Sequence, residues 1–156
     1  MNNNRTTNLL NKDHIKFLFS IFEKNNAEIR LVGGCIRDVF LNKETKDIDT
    51  ATVIEPNEIL EILNSNNIEY DDFAIQYGSI IAYPLEQKVQ ITTLREDVNQ
   101  IGRHTNVIYT TNWEKDAARR DFTFNAMYIG NNNKLYDYYN GEKDLNEKKI
   151  RFIGEI

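Results

Sequence analysis

Two adjacent glycines, placed between a strand-like and a helix-like segment, constrain the fold of this chain more than any other feature. Glu28 to Val32 reads as a β-strand, Gly33 and Gly34 follow it, and a short helix is predicted over about Cys35 to Leu41. Glycine lets the backbone turn tightly and approach a ligand closely. The free N–H groups at the start of a helix favour an anion such as a triphosphate. The glycine pair is therefore a candidate anion-binding turn.

A second strand is predicted over Asp47 to Thr52, after a polar turn from Asn42 to Lys46. Because residues i and i+2 share a face of a strand, Asp47 and Asp49 point the same way while Ile48 enters the core. Two neighbouring carboxylates repel each other unless a cation lies between them. Mg²⁺ is the natural choice, since it binds few carboxylates together with phosphate oxygens. Asp47 and Asp49 are therefore the candidate catalytic and metal-binding residues, in a geometry that suits two-metal phosphoryl or nucleotidyl transfer.

Each half of this pattern also has a plainer interpretation. A lone pair of glycines is usually just a turn, and a lone Asp-x-Asp is more often a solvated strand edge. The order and spacing of the two elements favour the functional interpretation, because Gly34 and Asp47 flank the twelve residues 35 to 46. The DNA polymerase beta-like nucleotidyltransferases use the same distance between their second glycine and first aspartate, so the pattern resembles theirs.

The rest of the chain mixes helix-like and strand-like segments. Leu9 to Lys24 carries apolar residues at three- and four-residue spacings, and Pro56 fits the first position of another helix. Strands mixed with few helices predict one α+β domain, a mixed β-sheet with flanking helices, over residues 9–156 after a flexible N-terminus over residues 1–8. Two further strands, Gly78 to Tyr83 and Lys88 to Leu94, are predicted to pair as a hairpin, and residues 95 to 112 are predicted to form a mobile polar loop. A short helix is then predicted from a cap at Asn112 to about Arg119 and Arg120. The last predicted strands are Phe122 to Ile129 and Lys134 to Tyr138.

Composition and charge narrow the classes of function. The 156 residues suffice for one well-buried core, and no run approaches the apolar length that a membrane helix needs. The N-terminus lacks the apolar stretch of a secretory signal, and the single cysteine, Cys35, suits a reducing cytoplasm, so a cytoplasmic protein without a membrane partner is expected. The net charge of -5 argues against a large nonspecific nucleic-acid surface. Any RNA contact must therefore come from a local cluster or from a segment outside this chain.

Several segments match, in order, the signatures of one family. They are Val32-Gly33-Gly34-Cys35-Ile36-Arg37-Asp38, Asp47-Ile48-Asp49-Thr50-Ala51-Thr52, Tyr77-Gly78-Ser79-Ile80, Ile91-Thr92-Thr93-Leu94-Arg95, Gly102-Arg103-His104, Arg119-Arg120-Asp121-Phe122-Thr123-Phe124-Asn125-Ala126, and Tyr136-Asp137-Tyr138 with Asn140-Gly141-Glu142-Lys143-Asp144-Leu145. Over residues from about 29 to 154 the chain thus resembles the class II tRNA nucleotidyltransferase and bacterial poly(A) polymerase family. The resemblance implies the DNA polymerase beta-like nucleotidyltransferase fold and, within it, the N-terminal head domain.

The resemblance also implies a role for each matching residue. Asp47 and Asp49 would hold magnesium ions, and Asp38 would orient Arg37 or pack against the sheet. The residues implied to bind the incoming nucleotide are Gly33, Gly34 and Arg37 at its triphosphate, with Arg119, Arg120, Asp121 and Asn125 around its sugar and phosphates. Without the resemblance, the two adjacent arginines would suggest a helix C-terminus stabilised by positive charge.

Two departures from the family pattern limit these implications. The family usually has a glutamate before the strand that resembles Ile91 to Arg95, as a third carboxylate beside the aspartate pair, and this chain has Gln90 there. An amide offers an oxygen to a cation but no negative charge. The chain also ends at Ile156, where the family's neck begins, so a head without the neck, body and tail regions is expected. Such a head would keep the nucleotide pocket and lose base selection and most RNA affinity.

The leading hypothesis is an RNA nucleotidyltransferase head that uses Mg²⁺ to transfer AMP or CMP from ATP or CTP to an RNA 3′ end, either in tRNA CCA addition or in polyadenylation. Its expected partners are the nucleotide, a tRNA 3′ end and a separate chain that supplies neck and body. The alternative is a catalytically weak or inactive remnant that binds nucleotide or RNA. A third reading is a standalone small nucleotidyltransferase that acts on a protein or a small molecule.

Overall fold

The computed structural model describes residues 3–45, 47–97 and 107–154 as an α+β arrangement of helices around a mixed sheet. The helices are α1 (Asn3–Leu10), α2 (Asp13–Lys24), α3 (Gly34–Phe40), α4 (Pro56–Ser65), α5 (Trp113–Ala118) and α6 (Gly141–Asn146). The strands are β1 (Ile29–Val32), β2 (Ile48–Thr52), β3 (Tyr70–Asp71), β4 (Ser79–Ala82), β5 (Val89–Thr93), β6 (Arg95–Asp97), β7 (Val107–Tyr109), β8 (Met127–Gly130) and β9 (Leu135–Asp137).

Seven of the described strands form one sheet in the order β3-β4-β5-β2-β1-β8-β9. Within it β2 and β5 run parallel, whereas the other neighbouring pairs are antiparallel. The predicted mixed sheet is therefore confirmed, and so is the hairpin of β4 with β5, which turns through Pro84–Glu86. Strands β6 and β7 pair with each other in a separate two-stranded sheet.

The larger hydrophobic core lies between helices and one face of the sheet. The apolar spacing in α2 buries Ile15, Leu18, Phe19 and Phe22, and α4 begins at Pro56 as predicted. A smaller cluster includes Ala51, which alternates with the buried Thr50 and therefore shares a face of β2 with Asp49. This second cluster consists of Val32, Ala51, Leu94, Trp113, Ala117, Ala126 and Tyr128. This cluster packs on the face of β2 that carries Asp49, and it therefore supports the candidate site.

Three predicted segments differ from the structure. The helix predicted over Leu9 to Lys24 is interrupted at Asn11 and Lys12, and α1 covers most of the residues expected to be flexible, with Thr6 fully buried. The strand predicted from Phe122 begins only at Met127, because Thr123–Asn125 forms a short 3₁₀ turn.

The third difference concerns the polar segment 95 to 112, predicted as an aperiodic loop. Its two described ends are strands β6 and β7, which pair in register, so the prediction is wrong for those ends. Residues 98–106, including His104, lie outside the described residues. No helix in the part of the chain that the structure describes is long and apolar enough to cross a membrane.

Candidate active site

The two predicted carboxylates line one cavity at the start of β2, with Asp49 in the strand and Asp47 immediately before it. Ile48 is buried in the core, while Asp47 before it is exposed and Asp49 after it is half-buried. A cavity of about 250 Å³ is lined by both aspartates together with Ile48, Lys88 and Gln90. Burial raises the pKa of Asp49 and the neighbouring charge of Asp47 raises it further, while Arg120 and Lys88 act in the opposite direction. Asp49 is therefore a carboxylate whose negative charge a bound cation would stabilise.

Gln90 lies directly beside Asp49, because the parallel pairing of β2 with β5 sets these two residues opposite each other. The structure thus brings Gln90 to the position where the sequence comparison expects a third carboxylate. Among the described residues, no group of three acidic, histidine or cysteine side chains is arranged to hold a metal ion. A cation at β2 would be held by two carboxylates and the neutral amide oxygen of Gln90.

The glycine turn places α3 at the edge of the same face. Gly33 has φ +77°, a left-handed conformation that glycine adopts without steric cost, and its carbonyl accepts hydrogen bonds from the N–H groups of Ile36 and Arg37. A Cβ on Gly34 would lie 3.2 Å from Nη2 of Arg37. Two consecutive glycines therefore let the chain reverse from β1 into α3 and leave room for the arginine beside the turn.

Arg37 is held by hydrogen bonds from two directions. Its Nε and Nη2 donate to Oδ1 of Asp38 at 3.3 and 3.2 Å, and its Nη1 donates to Oδ1 of Asn125 at 3.4 Å. Asn125 donates in turn to Oδ1 of Asp121 at 3.3 Å. The contact with Asp38 agrees with the prediction that this residue orients Arg37. A chain of polar contacts thus connects the glycine turn to the Arg-Arg-Asp segment.

The pKa of Asp121 is lowered, first because its carboxylate accepts a 2.7 Å hydrogen bond from the backbone N–H of Phe122, and further because Asn125 donates to it. Burial acts in the opposite direction. Asp121 is therefore an exposed, ionised carboxylate at neutral pH, fixed in direction by its own backbone.

Sequence reasoning missed Asp116, which holds both arginines of this segment. Its Oδ1 accepts from Nε of Arg119 at 3.1 Å and its Oδ2 accepts from Nη2 of Arg120 at 3.2 Å. Asp116 is fully buried, and burial would raise its pKa, but Arg120 and Arg119, the hydroxyl of Tyr128 and the N–H of Arg95 together lower it. The spacing could have indicated this role, because Asp116 lies three residues before Arg119 and four before Arg120, and residues at these spacings are neighbours on a helix.

All seven residues predicted to bind nucleotide line a single cavity of about 430 Å³, with Asp49 on its wall. The members of this cavity are Gly33, Gly34, Arg37, Asp49, Arg119, Arg120, Asp121 and Asn125. Asp49 also borders the smaller cavity of the aspartate pair, so the two spaces meet at that carboxylate. An anion in the larger cavity would contact three arginines while its end reaches the carboxylates of β2.

Residues 29–151 match the model of the poly A polymerase head domain. The chain belongs to this family. CCA tRNA nucleotidyltransferase 1 of Homo sapiens, a mitochondrial protein, is 43% identical over 141 residues, which are 90% of this chain and 32% of the human one. The CCA-adding enzyme of Oceanobacillus iheyensis is 34% identical over 132 residues, 83% of this chain and 32% of the relative. The head domain described here therefore spans about a third of the length of the curated relatives it matches.

Solved structures support the same fold. The Bacillus stearothermophilus CCA-adding enzyme in complex with CTP superposes with a TM-score of 0.80 at 24% identity, over 91% of this chain and 33% of that one. A tRNA nucleotidyltransferase complexed with a primer tRNA and an incoming ATP analog gives a TM-score of 0.70 at 27% identity, over 88% of this chain and 39% of that one. The predicted nucleotidyltransferase fold is confirmed.

The last motif that matches the family, Tyr136 to Leu145, stabilises the backbone next to the site. Both carboxylate oxygens of Asp137 accept hydrogen bonds from the first N–H groups of α6, those of Gly141 and Glu142, at 2.7 and 3.0 Å. The buried carboxylate of Asp144 accepts a hydrogen bond from Thr123, next to the segment that carries Asn125. These residues fix the backbone of the cavity wall and do not line the cavity.

Cys35 and Trp113 have structural roles in the head domain. Cys35 is buried, and burial raises the pKa of its thiol to about 12, so it is a small packed residue and not a reactive thiolate. Trp113 is also buried, and its ring packs edge-on against Tyr128 and under the guanidinium of Arg30. It holds the second core cluster together at the start of α5.

Proposed function

We propose that this chain is the catalytic head of an RNA nucleotidyltransferase that transfers AMP or CMP from a nucleoside triphosphate to the 3′ hydroxyl of an RNA. The observation that supports this most is the single cavity in which the glycine turn, three arginines and Asp49 converge. A triphosphate would fill it with its negative charge against the guanidinium groups and its α-phosphate toward β2. The relatives at 43% and 34% identity are named a CCA tRNA nucleotidyltransferase and a CCA-adding enzyme, which supports the same assignment.

We further propose Mg²⁺ as the cofactor, with Asp47 and Asp49 as its ligands. Two adjacent carboxylates, one of them half-buried with a raised pKa, are a donor set that suits a small divalent cation. When bound, the ion would neutralise the phosphates and lower the pKa of the attacking hydroxyl. The protein's own part is to hold both carboxylates at the start of β2 and to keep Asp49 on the wall of the nucleotide cavity.

The remaining cavity residues bind and orient the nucleotide. Gly33 and Gly34 line the cavity without a side chain and so leave room for the phosphates, and Arg37 offers its guanidinium from a position held by Asp38. Arg119 and Arg120 line the same cavity and offer two further guanidinium groups to the phosphates. Asp121 and Asn125, linked by a hydrogen bond, frame the sugar.

A tRNA 3′ end is the proposed acceptor. A tRNA nucleotidyltransferase with a similar fold has been solved with a primer tRNA, which supports this choice over another RNA. Both CCA addition and polyadenylation fit this head domain, since the resemblance to the family assigns the choice of base to the neck. A separate chain that supplies the neck and body stays a prediction, as does the cytoplasmic location.

Gln90 favours the alternative of a catalytically weak remnant, because it removes one negative charge from beside Asp49. The complete nucleotide cavity and the names of the relatives favour the active head. We therefore propose an active head, in which Gln90 lowers the affinity of the site for the metal ion.

The proposal is tested by incubating the purified chain with Mg²⁺, radiolabelled CTP or ATP, and excess tRNA that lacks its 3′ end. Incorporation by the wild type and its loss in Asp47→Ala are expected. Asp71→Ala serves as the matched control, because Asp71 is exposed on β3 and lines neither cavity. Absence of incorporation by the wild type would contradict the activity. Equal Mg²⁺-dependent nucleotide binding by the wild type and Asp47→Ala would contradict the metal assignment alone.

A further inference from the structure

Four donors converge on the buried carboxylate of Asp116. Its Oδ1 accepts from Nε of Arg119 and from the backbone N–H of Arg95, each at 3.1 Å. Its Oδ2 accepts from Nη2 of Arg120 at 3.2 Å and from the hydroxyl of Tyr128 at 2.6 Å. Each oxygen therefore holds one guanidinium group and one further donor that belongs to the fold.

The two arginines are ordered by this arrangement before any ligand arrives. Their side chains are only 13% and 18% exposed, unlike the solvated, mobile side chains of most surface arginines. Arg120 is held a second time, because its Nε donates to the hydroxyl of Tyr128 at 3.3 Å. Both guanidinium groups line the 430 Å³ cavity, whereas Asp116 does not. Any effect of Asp116 on a ligand in that cavity must therefore act through the arginines.

We propose that Asp116 is a positioning residue for nucleotide binding, which fixes the guanidinium groups of Arg119 and Arg120 in the direction of the triphosphate. This inference rests on the proposed function of the cavity. Binding a triphosphate with two freely rotating arginines would cost the conformational entropy of both side chains, and Asp116 has already removed that freedom. The residue also joins the cavity to β6, since its Oδ1 holds the first N–H group of that strand.

A competing effect has the opposite sign. The negative charge of Asp116 opposes an incoming triphosphate, so its removal strengthens the positive field of the cavity. The direct contacts decide between the two effects, because the carboxylate is fully buried and fixes two charge-assisted hydrogen bonds whose loss would leave both arginines without their anchor. We therefore expect removal of the charge to weaken nucleotide binding.

The test compares the wild type with Asp116→Asn, which keeps the shape of the side chain and removes its charge. The dissociation constants of CTP and ATP are measured in Mg²⁺ by calorimetry. Asp116→Asn is expected to bind about tenfold more weakly or worse. Tyr128→Phe, which keeps the ring packing against Trp113 and removes the hydroxyl, is expected to lose about two- to threefold, and it carries the test if Asp116→Asn does not fold.

Thr93→Val is the control for general stability, because Thr93 is fully buried, donates its hydroxyl to the carbonyl of Ile54 at 2.8 Å and lies outside both cavities. It is expected to lower the melting temperature without changing nucleotide affinity. A second readout needs no ligand: the Nε–Hε resonances of Arg119 and Arg120 should be dispersed and slow to exchange in the wild type and collapse toward the solvent-exposed position in Asp116→Asn.

The outcomes separate this inference from the proposed function. Equal or tighter nucleotide binding by Asp116→Asn would overturn the positioning role, and tighter binding that disappears at high salt would identify Asp116 as an opposing charge instead. An equal loss of affinity in Thr93→Val would also overturn it, since the effect would then be one of general stability. A wild-type chain that binds neither nucleotide would contradict the proposed function and the inference with it.

Discussion

Asp49 lies half-buried on β2 beside a second carboxylate, and burial together with the charge of Asp47 raises its pKa. A carboxyl group whose pKa is higher in the folded than in the unfolded state destabilises the fold at neutral pH. The destabilisation is complete above the folded pKa, declines as the pH falls from the folded toward the unfolded pKa, and disappears below both, where the group is protonated in both states. Asp49 is thus a residue whose position favours ligand binding at the expense of stability.

Asp49→Asn is therefore expected to raise the melting temperature of the metal-free chain by a few degrees at neutral pH, and to abolish nucleotide incorporation. The gain should shrink toward acid pH, where the wild-type carboxyl is neutral. Scanning calorimetry in chelator at several pH values measures both effects. Asp71→Asn, at an exposed site on β3, is the control and should leave the melting temperature unchanged. A lower melting temperature for Asp49→Asn would contradict the charge argument.

Gln90 permits a second prediction at the same scale. Gln90→Glu restores a carboxylate directly beside Asp49 and is expected to tighten Mn²⁺ binding to the nucleotide-free chain by roughly tenfold, since ligand charge sets the affinity of such sites. Titration followed by electron paramagnetic resonance reports the free ion. Gln76→Glu adds the same charge at an exposed position and should change nothing. Unchanged Mn²⁺ affinity in Gln90→Glu would show that the ion does not bind at β2.

Residues with local signatures were predictable from the sequence, and those defined by distant contacts were not. Asp47 and Asp49 are two residues apart in the predicted strand, so their common direction follows from the period of a strand alone. The spacing of Asp116 to Arg119 and Arg120 is also local, but its anchoring in the fold depends on Tyr128 and Arg95, 12 and 21 residues away, which donate to it. No local pattern specifies those two contacts, and the sequence therefore left Asp116 among ordinary helix residues.

Elements with strong apolar periodicity or a clear start signal were predicted well. Helix α4 begins at Pro56 and buries Ile59, Ile62 and Leu63 on one side, as the sequence indicates. Helix α1 was missed because its first residues are mostly asparagine and threonine, which favour turns over helices. Strand β6 was missed because its three residues, Arg95 to Asp97, are all charged and show no alternation with apolar residues. Strand β7 was missed because its three residues, Val107 to Tyr109, are too short a run to show a period within a polar segment.

Helix α6 gives a prediction at the scale of the element. A Cβ on Gly141, at the start of this helix, would overlap the carbonyl oxygen of Thr123 and the backbone of Phe124, neither of which can move away as a side-chain tip can. Gly141→Ala is therefore expected to destabilise the chain by roughly 1–3 kcal/mol, as overpacking does in a tight core. Chemical denaturation measures the change in the free energy of unfolding.

Gly130→Ala is the matched control for this substitution. The nearest atom to a Cβ at Gly130 is the side-chain oxygen of Asn132, which can shift. Its cost should therefore be clearly smaller than that of Gly141→Ala. Equal costs for the two variants would show that α6 can slide away from the Thr123–Asn125 turn, and that its contact does not fix the wall of the cavity.

At the scale of the whole molecule, the site is assembled by the order of the strands. The glycine turn and the Arg-Arg-Asp segment are about ninety residues apart in sequence, and they meet because β8 pairs with β1 and sets Tyr128 opposite Val32. The parallel pairing of β5 with β2 brings Gln90 to Asp49 in the same way. Sequence predicted the fold class and a mixed sheet, but strand order depends on long-range contacts that only the resemblance to a family could indicate.

The net charge of the chain predicts its affinity for RNA and the salt dependence of that affinity. With 24 acidic and 19 basic residues, the chain has a net charge of -5, which opposes the approach of a polyanion, and three of its arginines line the nucleotide cavity. We therefore expect a dissociation constant for tRNA weaker than about 10 µM at physiological salt, in the range of nonspecific binding. Because three arginines line the cavity, the logarithm of the association constant should fall with the logarithm of salt concentration no more steeply than a slope of about -2.

Fluorescence anisotropy of end-labelled tRNA, titrated with the chain across a salt series, tests both numbers. Arg119→Ala is expected to make the slope shallower by the share of one phosphate contact, whereas Arg151→Ala, at an exposed arginine outside the cavity, should leave it unchanged. Submicromolar affinity with a steep slope would reveal an extended basic RNA surface that the composition argues against. In that case the RNA would be held by the chain at large, and the cavity would contribute only the nucleotide.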